Sequence, residues 1–202
     1  MAIRFLGFLL LASASAPAAA LQCLVDASRA QIGVTLHYDP AYVRLDYPGG
    51  DVPIERGVCT DVIVRAYRSF GVDLQQRVHE DMRANFSSYP KHWGLRSTDR
   101  NIDHRRVPNL ARYFARHGQA LGTASTDAEF RPGDLVTWRL PSGVPHIGIV
   151  SDGTSAAGVP LIVHNIGAGA REEDVLREFT VTGHFRYQPP ELMDACRESQ
   201  GK

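Results

Sequence analysis

In "CTDVIVRAYRSFG" the apolar side chains at 59, 62, 63, 66, 67 and 70 recur at the spacing of one helix face, and Gly71 ends the run. A helix is therefore predicted over about 59–70, with Cys59 in its first turn just after Gly57. A second helix is expected over 74–85. "VPNLARYFARHG" predicts a third, with Pro108 near its start, Leu110, Tyr113, Phe114 and His117 on one side and Gly118 as the stop. Ahead of all three, residues 34–55 are rich in Pro, Gly and Asp and read as extended or loop chain.

Beyond Gly118 the pattern changes. "GDLVTWRL", "HIGIVSDG" and "PLIVHNIG" are short apolar runs bounded by Gly, Pro, Asp and Ser, the signature of strands and turns, and a last strand is expected from "FRYQ". Helices followed by a series of strands argue an α+β fold in which helices pack on a small antiparallel sheet.

The head of the chain follows neither period. Arg4, the apolar run Phe5 to Ala12 and the small residues Ala18, Ala19 and Ala20 stand in the order of a secretory signal peptide over 1–20. That run is too short to span a bilayer, and no later stretch approaches the roughly 20 apolar residues a transmembrane helix needs. The expectation is an exported protein, periplasmic or secreted, with no transmembrane segment and with residues 21–202 forming one domain around one core. Cys23 lacks the small preceding residue that lipid anchoring wants, because Gln22 stands there.

Charge narrows the partners. Lys and Arg number 22 against 22 Asp and Glu, and the longest basic block is "HRR", so no electrostatic case for nucleic acid exists. Three tempting motifs fail on spacing. "HEDM" at His79 has Arg83 where a zinc helix needs its second histidine. "DRNIDHRR" opens like a calcium loop but puts His104 at the glycine position and Leu110 at the closing one. "GAGARE" lacks the third glycine of a phosphate cradle. Neither a metal nor an organic cofactor is expected.

Cys59 leaves two readings open. It is either a small apolar residue on a buried face, or a nucleophile whose thiolate is favoured by the N–H groups and dipole of a helix start, with Asp61 working against it. A nucleophilic thiol needs an imidazole, and the imidazole needs something to hold its ring. His146 opens a strand after Pro145. His164 and Asn165 must point to opposite faces of theirs, so only one of them can orient His146.

The order "YPGGDVPIERGVCTDVIVRAY", "RPGDLVTWRL…HIGIVSDG" and "LIVHNIG" resembles the NlpC-type and CHAP cysteine peptidases, papain-like enzymes of bacterial cell-wall metabolism. It is most similar to a branch of that superfamily catalogued as a domain of unknown function, and "NIDHRRVPNL" matches that branch. The resemblance covers Tyr47 to about Gly167. It implies a papain-like fold, Cys59 as nucleophile, His146 as base, His164 as the residue orienting the imidazole, and Tyr47 near the oxyanion. It also implies hydrolysis of amide bonds in peptidoglycan stem peptides through a thioester, with peptidoglycan or a peptide as the partner. Thr60 and Asp61 depart from the Ser and small residue that usually follow the cysteine, and helices are inserted between Cys59 and the sheet. The same centre would serve an acyltransferase or an interbacterial toxin, and a non-catalytic wall-binding module with Cys59 in its core is a third alternative.

Two further expectations concern the surroundings. Stem peptides carry free carboxylates, and arginine grips these with a planar fork, so Arg105 or Arg106, with His104 alongside, is expected to line the cleft and anchor one. Cys23 and Cys196 lie near the two ends of the exported chain, where termini are often close, and either form a disulfide in an oxidising compartment or remain two thiols. Oligomeric state is left open.

Overall fold

The computed structural model describes residues 16–123 and 126–200, with side chains from Leu21 to Glu198. The expected signal peptide thus lies largely outside the described residues; its last five overlap the first helix, α1 (Ala16–Arg29). A short parallel pair follows, β1 (His37–Tyr38) with β2 (Arg56–Gly57), which sets Tyr38 opposite Gly57. Next come α2 (Cys59–Arg68), α3 (Leu74–Ala84) and α4 (Val107–His117). The strands are β3 (Gln119–Gly122), β4 (Leu135–Arg139), β5 (Pro145–Thr154), β6 (Pro160–His164), β7 (Arg171–Glu173) and β8 (Thr180–Arg186), and the chain closes with α5 (Pro190–Gln200). The sheet order is β3-β8-β4-β5-β6-β7, with every neighbour antiparallel. The fold is α+β, helices on an antiparallel sheet.

Strand alternation divides the core. Leu135, Ile147 and Ile149 face the helices and join Ile63, Tyr67, Leu110 and Phe114. Val136, Trp138, Val150 and Ile162 point the other way into a smaller cluster closed by Val175 and Leu176. Trp138 Nε1 donates to the Leu176 carbonyl at 3.1 Å, satisfying the one polar group that ring buries. Two covered faces explain why β4 and β5 read as continuous apolar runs instead of a clean alternation.

Helix α2 is buried along nearly its whole length, Cys59 through Tyr67. That includes Arg65, whose guanidinium forks Asp51 at 2.9 and 3.1 Å, donates to Thr35 Oγ1 at 2.9 Å, and reaches the Arg56 carbonyl at 2.9 Å. A buried cation is stable only when paired and fully hydrogen-bonded, and here those bonds fix the loop that feeds the chain into α2. Gly71, at φ +74°, turns the chain out of the helix where few side chains could follow.

The segment 34–55, read as extended or loop chain, contains the two-residue β1. The last strand starts at Thr180, ahead of the "FRYQ" expected to begin it. Helix α1 packs against α5, and the Cys196 thiol hydrogen-bonds Cys23. Among the described residues, no helix is long and apolar enough to cross a membrane.

Candidate active site

Cys59 is the first residue of α2, after an extended Val58 at φ −114°. Asp61 Oδ2 accepts the Val58 N–H at 2.7 Å, capping the helix from its third position. Arg105 holds the same carboxylate with both prongs, Nε to Oδ1 and Nη2 to Oδ2, each at 3.0 Å, and both side chains are buried. The remaining Arg105 bonds go to the carbonyls of Ala41 and Asp39, each at 3.2 Å. Arg105 lines the Cys59 cavity, as expected of at least one of the two arginines, but its guanidinium is committed to Asp61 and these carbonyls and so holds the start of α2. Asp61, where the resembling enzymes carry a small residue, is explained by this pair.

Burial pushes the Cys59 thiol up to about 12. The N–H groups of Ile147, Thr60 and Cys59 pull in the other direction, and the Asp61 charge adds to the rise. Desolvation therefore outweighs the helix terminus, and the resting sulfur is a thiol.

Ile147 follows His146 in β5, so the sulfur meets the strand one residue past that imidazole. His146 Nε2 lies 2.9 Å from His164 Nδ1, and His164 Nε2 lies 3.0 Å from Glu173 Oε2. Carboxylates only accept, so His164 carries its proton on Nε2 and presents a bare Nδ1. His146 must then donate from Nε2, which leaves its Nδ1 as the free basic nitrogen. Burial and then the neighbouring His164 lower His146 to about 3, and burial also lowers His164, outweighing Glu173. Both rings are neutral at rest, and among the described residues no hydrogen bond joins the sulfur to the His146 ring.

Local sequence explains how the two rings meet. Gly148 sits between them on the same sheet face; a Cβ there would lie 2.5 Å from Ile162 Cγ2 and 3.2 Å from His164 Cβ. Asn165, on the opposite face from His164, donates to the Gly57 carbonyl at 3.1 Å and so ties the end of β6 to the chain entering α2.

A cavity of about 330 Å³ opens on Cys59, lined among others by Tyr38, Trp93, Arg106 and Val144. A second, of about 610 Å³, shares Trp93, Val107, Val144 and Pro145 with it. His146 lines neither, being nearly fully buried beside Pro145. Tyr47 is elsewhere: its hydroxyl is 3.4 Å from Glu80 and its ring is edge-on to His79. Tyr38 lines the Cys59 cavity instead, and burial, then Cys59 and Asp61, raise its pKa. His104 is also displaced from expectation, buried away from the cavity, with burial and then Arg105 lowering it to about 3. Arg105 and Arg106 both line the cavity. Sequence reasoning missed Tyr38 and Glu173. Glu173 is placed by strand pairing: His164 opposite Arg171 makes Glu173 a diagonal neighbour on the same face. Among the described residues, no group of three or more His, Cys, Asp or Glu is placed to hold a metal ion.

Among known proteins, the chain is 58% identical over 164 residues to "Uncharacterized protein YijF" of Escherichia coli (strain K12), covering 81% of this chain and 80% of that protein. Among solved structures it is similar to NlpC1 from Trichomonas vaginalis, with a TM-score of 0.45 at 12% identity over 87% of this chain and 46% of that one, so it spans less than half that protein's length. A family model described as a domain of unknown function, DUF1287, matches residues 25–187, and the chain belongs to that family.

Proposed function

We propose that the chain is an exported cysteine hydrolase that cleaves amide bonds in peptidoglycan stem peptides. The observation that carries this reading is the chain Glu173–His164–His146, which leaves a bare imidazole nitrogen on the strand whose next backbone N–H holds the Cys59 sulfur. Two buried imidazoles in series, the outer one held by a half-buried carboxylate, are costly to keep unless the bare nitrogen has work to do.

In the proposed cycle His146 Nδ1 takes the Cys59 proton as the sulfur attacks the amide carbonyl carbon. The Cys59 backbone N–H and the Tyr38 hydroxyl, kept protonated by its raised pKa, donate to the oxyanion. The C–N bond breaks, and the departing amine takes the proton from His146. Water then attacks the thioester, its proton passing through His146, and the acid leaves as Cys59 regains its hydrogen. Because both rings and the thiol start neutral, the ion pair forms during the reaction, when substrate displaces water and draws the sulfur toward the ring.

The resemblance of the motif order to cell-wall peptidases supports a wall peptide as the substrate class, and the leader-like first twenty residues support export. Cleavage after Ala20 would leave the packed part of α1 intact, since Leu21, Leu24 and Val25 are its core residues. A second reading, a wall-binding module with Cys59 as a core residue, draws on the burial and raised pKa of that thiol. Mass spectrometry of purified peptidoglycan treated with wild type, Cys59→Ala and His146→Ala separates the two. New stem-peptide fragments from wild type alone are expected; equal products from Cys59→Ala would end the hydrolase reading.

A further inference from the structure

We propose that Arg106 is the anion-binding residue of the Cys59 cavity and selects amide substrates that carry a free carboxylate beside the scissile bond. The proposal rests on the hydrolase reading for its substrate, though not for its geometry. Arg105 and Arg106 are adjacent, yet their circumstances differ. Arg105 is neutralised by Asp61. Arg106 has no acidic partner among the described residues, and its Nη1, fully shielded from solvent, makes no hydrogen bond. A shielded guanidinium nitrogen without an acceptor is an unfinished interaction, and a carboxylate would complete it with two parallel bonds.

The cavity is built for such a guest. Of the residues lining it none is acidic; Cys59, Arg105 and Arg106 face the same space, and of the two cations Arg105 is already paired with Asp61. Trp93 fixes the cation there, with the guanidinium 5.3 Å from its ring. Trp93 is itself unusual: it is 64% exposed and, among the described residues, is the one non-glycine with positive φ, at 59°. A bulky residue held in that conformation with little burial in return indicates a positioning role. It stands at the junction of the two cavities, where a chain running past Cys59 would cross it. Arg106 thus reads one side of the scissile bond, and Trp93 is a positioning residue acting through it.

Two experiments test this. The first needs no turnover: alkylation of Cys59 by iodoacetate and by iodoacetamide, followed on the Cys59 peptide by mass spectrometry. The anionic reagent should be favoured in wild type, and Arg106→Gln should cut the iodoacetate-to-iodoacetamide rate ratio by roughly 10-fold. Arg106→Lys, which keeps the charge and loses the fork, should retain most of that ratio. An unchanged ratio in a folded Arg106→Gln would overturn the proposal, and so would failure of both reagents to reach Cys59. The second uses a pair of stem peptides differing only in whether the carboxyl beside the scissile amide is free or amidated. Wild type should prefer the free acid by about 10-fold or more in kcat/KM, chiefly through KM, and Arg106→Lys should lose most of that preference. If neither peptide is cleaved while the alkylation ratio still depends on Arg106, the hydrolase reading fails and the anion site stands.

Discussion

Glu173 Oε2 accepts from His164 Nε2 at 3.0 Å, so a carboxylate two residues into the neighbouring strand decides which nitrogen of His146 is bare. Removing it frees His164 to turn or to protonate the wrong nitrogen. Glu173→Ala should therefore lower kcat with little change in KM, and His164→Ala should lower it further, by about 10²-fold or more. Asn165→Ala should act differently, because its amide holds the Gly57 carbonyl: a lower melting temperature with a smaller loss of kcat. Turnover assays on stem peptides alongside thermal unfolding give the ranking, and Asn165→Ala losing more turnover than His164→Ala would reverse the assignment.

The thiol's pH response separates a resting thiol from a resting ion pair. With Cys59 held at about 12 by burial, its alkylation by iodoacetamide should climb about tenfold per pH unit through neutral and alkaline solution. A preformed ion pair would instead react on a plateau reaching into mildly acidic solution. His146→Ala should leave the alkylation profile nearly unchanged, since no ionised imidazole supports the resting sulfur. An acidic plateau that disappears in His146→Ala would show the ion pair to exist before substrate binds.

Acid stability follows from the buried imidazoles. His104 and His146 titrate at about 3 in the folded chain against an ordinary value near 6.5. Between those limits the unfolded chain binds more protons, so stability is complete above about 6.5 and falls as pH drops toward 3, by up to about 1.4 kcal/mol per unit for each ring. Asp103, raised by its own burial, opposes this loss. His104→Leu isolates one ring: denaturant unfolding at several pH values between 5 and 7 should show a shallower acid decline than wild type. An unchanged slope would mean that His104 ionises freely when folded.

Helices α2, α3 and α4 were legible within a residue or two because their signals are local: a 3.6-residue apolar face, Pro108 at a start, Gly71 and Gly118 as stops. Strand alternation also separated His164 from Asn165, and the structure sets them on opposite faces with different partners. What was not legible depends on pairing and on depth. Strand β7 is three charged residues that become a strand only by adding to β6, so Glu173 gave no signal of its own. Tyr38 reaches the cavity because Arg65 gathers residues 51–57 and lets β1 lie beside Gly57, a long-range arrangement hidden inside a Pro- and Gly-rich segment. The helix start suggested a low thiol pKa, and only the packing of α2 against β5 reveals that desolvation is the larger effect. Arg105 and Arg106 are indistinguishable in sequence; Asp61 tells them apart.

The two ends of the chain carry a redox prediction. Cys196 on α5 hydrogen-bonds Cys23 on α1, so joining the sulfurs needs loss of two hydrogens to a disulfide-generating oxidant and little movement of the helices. Protein recovered from an oxidising compartment should contain this bond, visible as a cross-linked peptide pair before reduction. Cys196→Ser should then cost about 2–4 kcal/mol relative to the oxidised protein. Full alkylation of both thiols without prior reduction would show that the bond does not form.

Gly148 tests whether the contact between the two imidazoles, rather than their presence, matters. Its added Cβ would lie 2.5 Å from Ile162 Cγ2, 3.1 Å from the Val163 carbonyl and 3.2 Å from His164 Cβ. The carbonyl belongs to the β5–β6 ladder, where Ile149 pairs with Val163, so the strands cannot separate there without breaking that pairing. Relief must come from Ile162 and His164, and a shift of His164 lengthens its 2.9 Å contact with His146. Gly148→Ala should fold with a loss of about 1–3 kcal/mol and lose turnover by roughly 10²-fold, the cost of misplacing a catalytic group by about 1 Å. Gly153 provides the comparison within the same strand. A Cβ there meets the side-chain atoms of Glu172 and Leu161 at 3.3 Å and Ser151 Oγ at 3.4 Å, which can give way. Gly153→Ala should therefore change both stability and turnover little. Wild-type turnover in Gly148→Ala would mean that His146 does its work without His164 against it, and the orienting role would pass from His164 to another group.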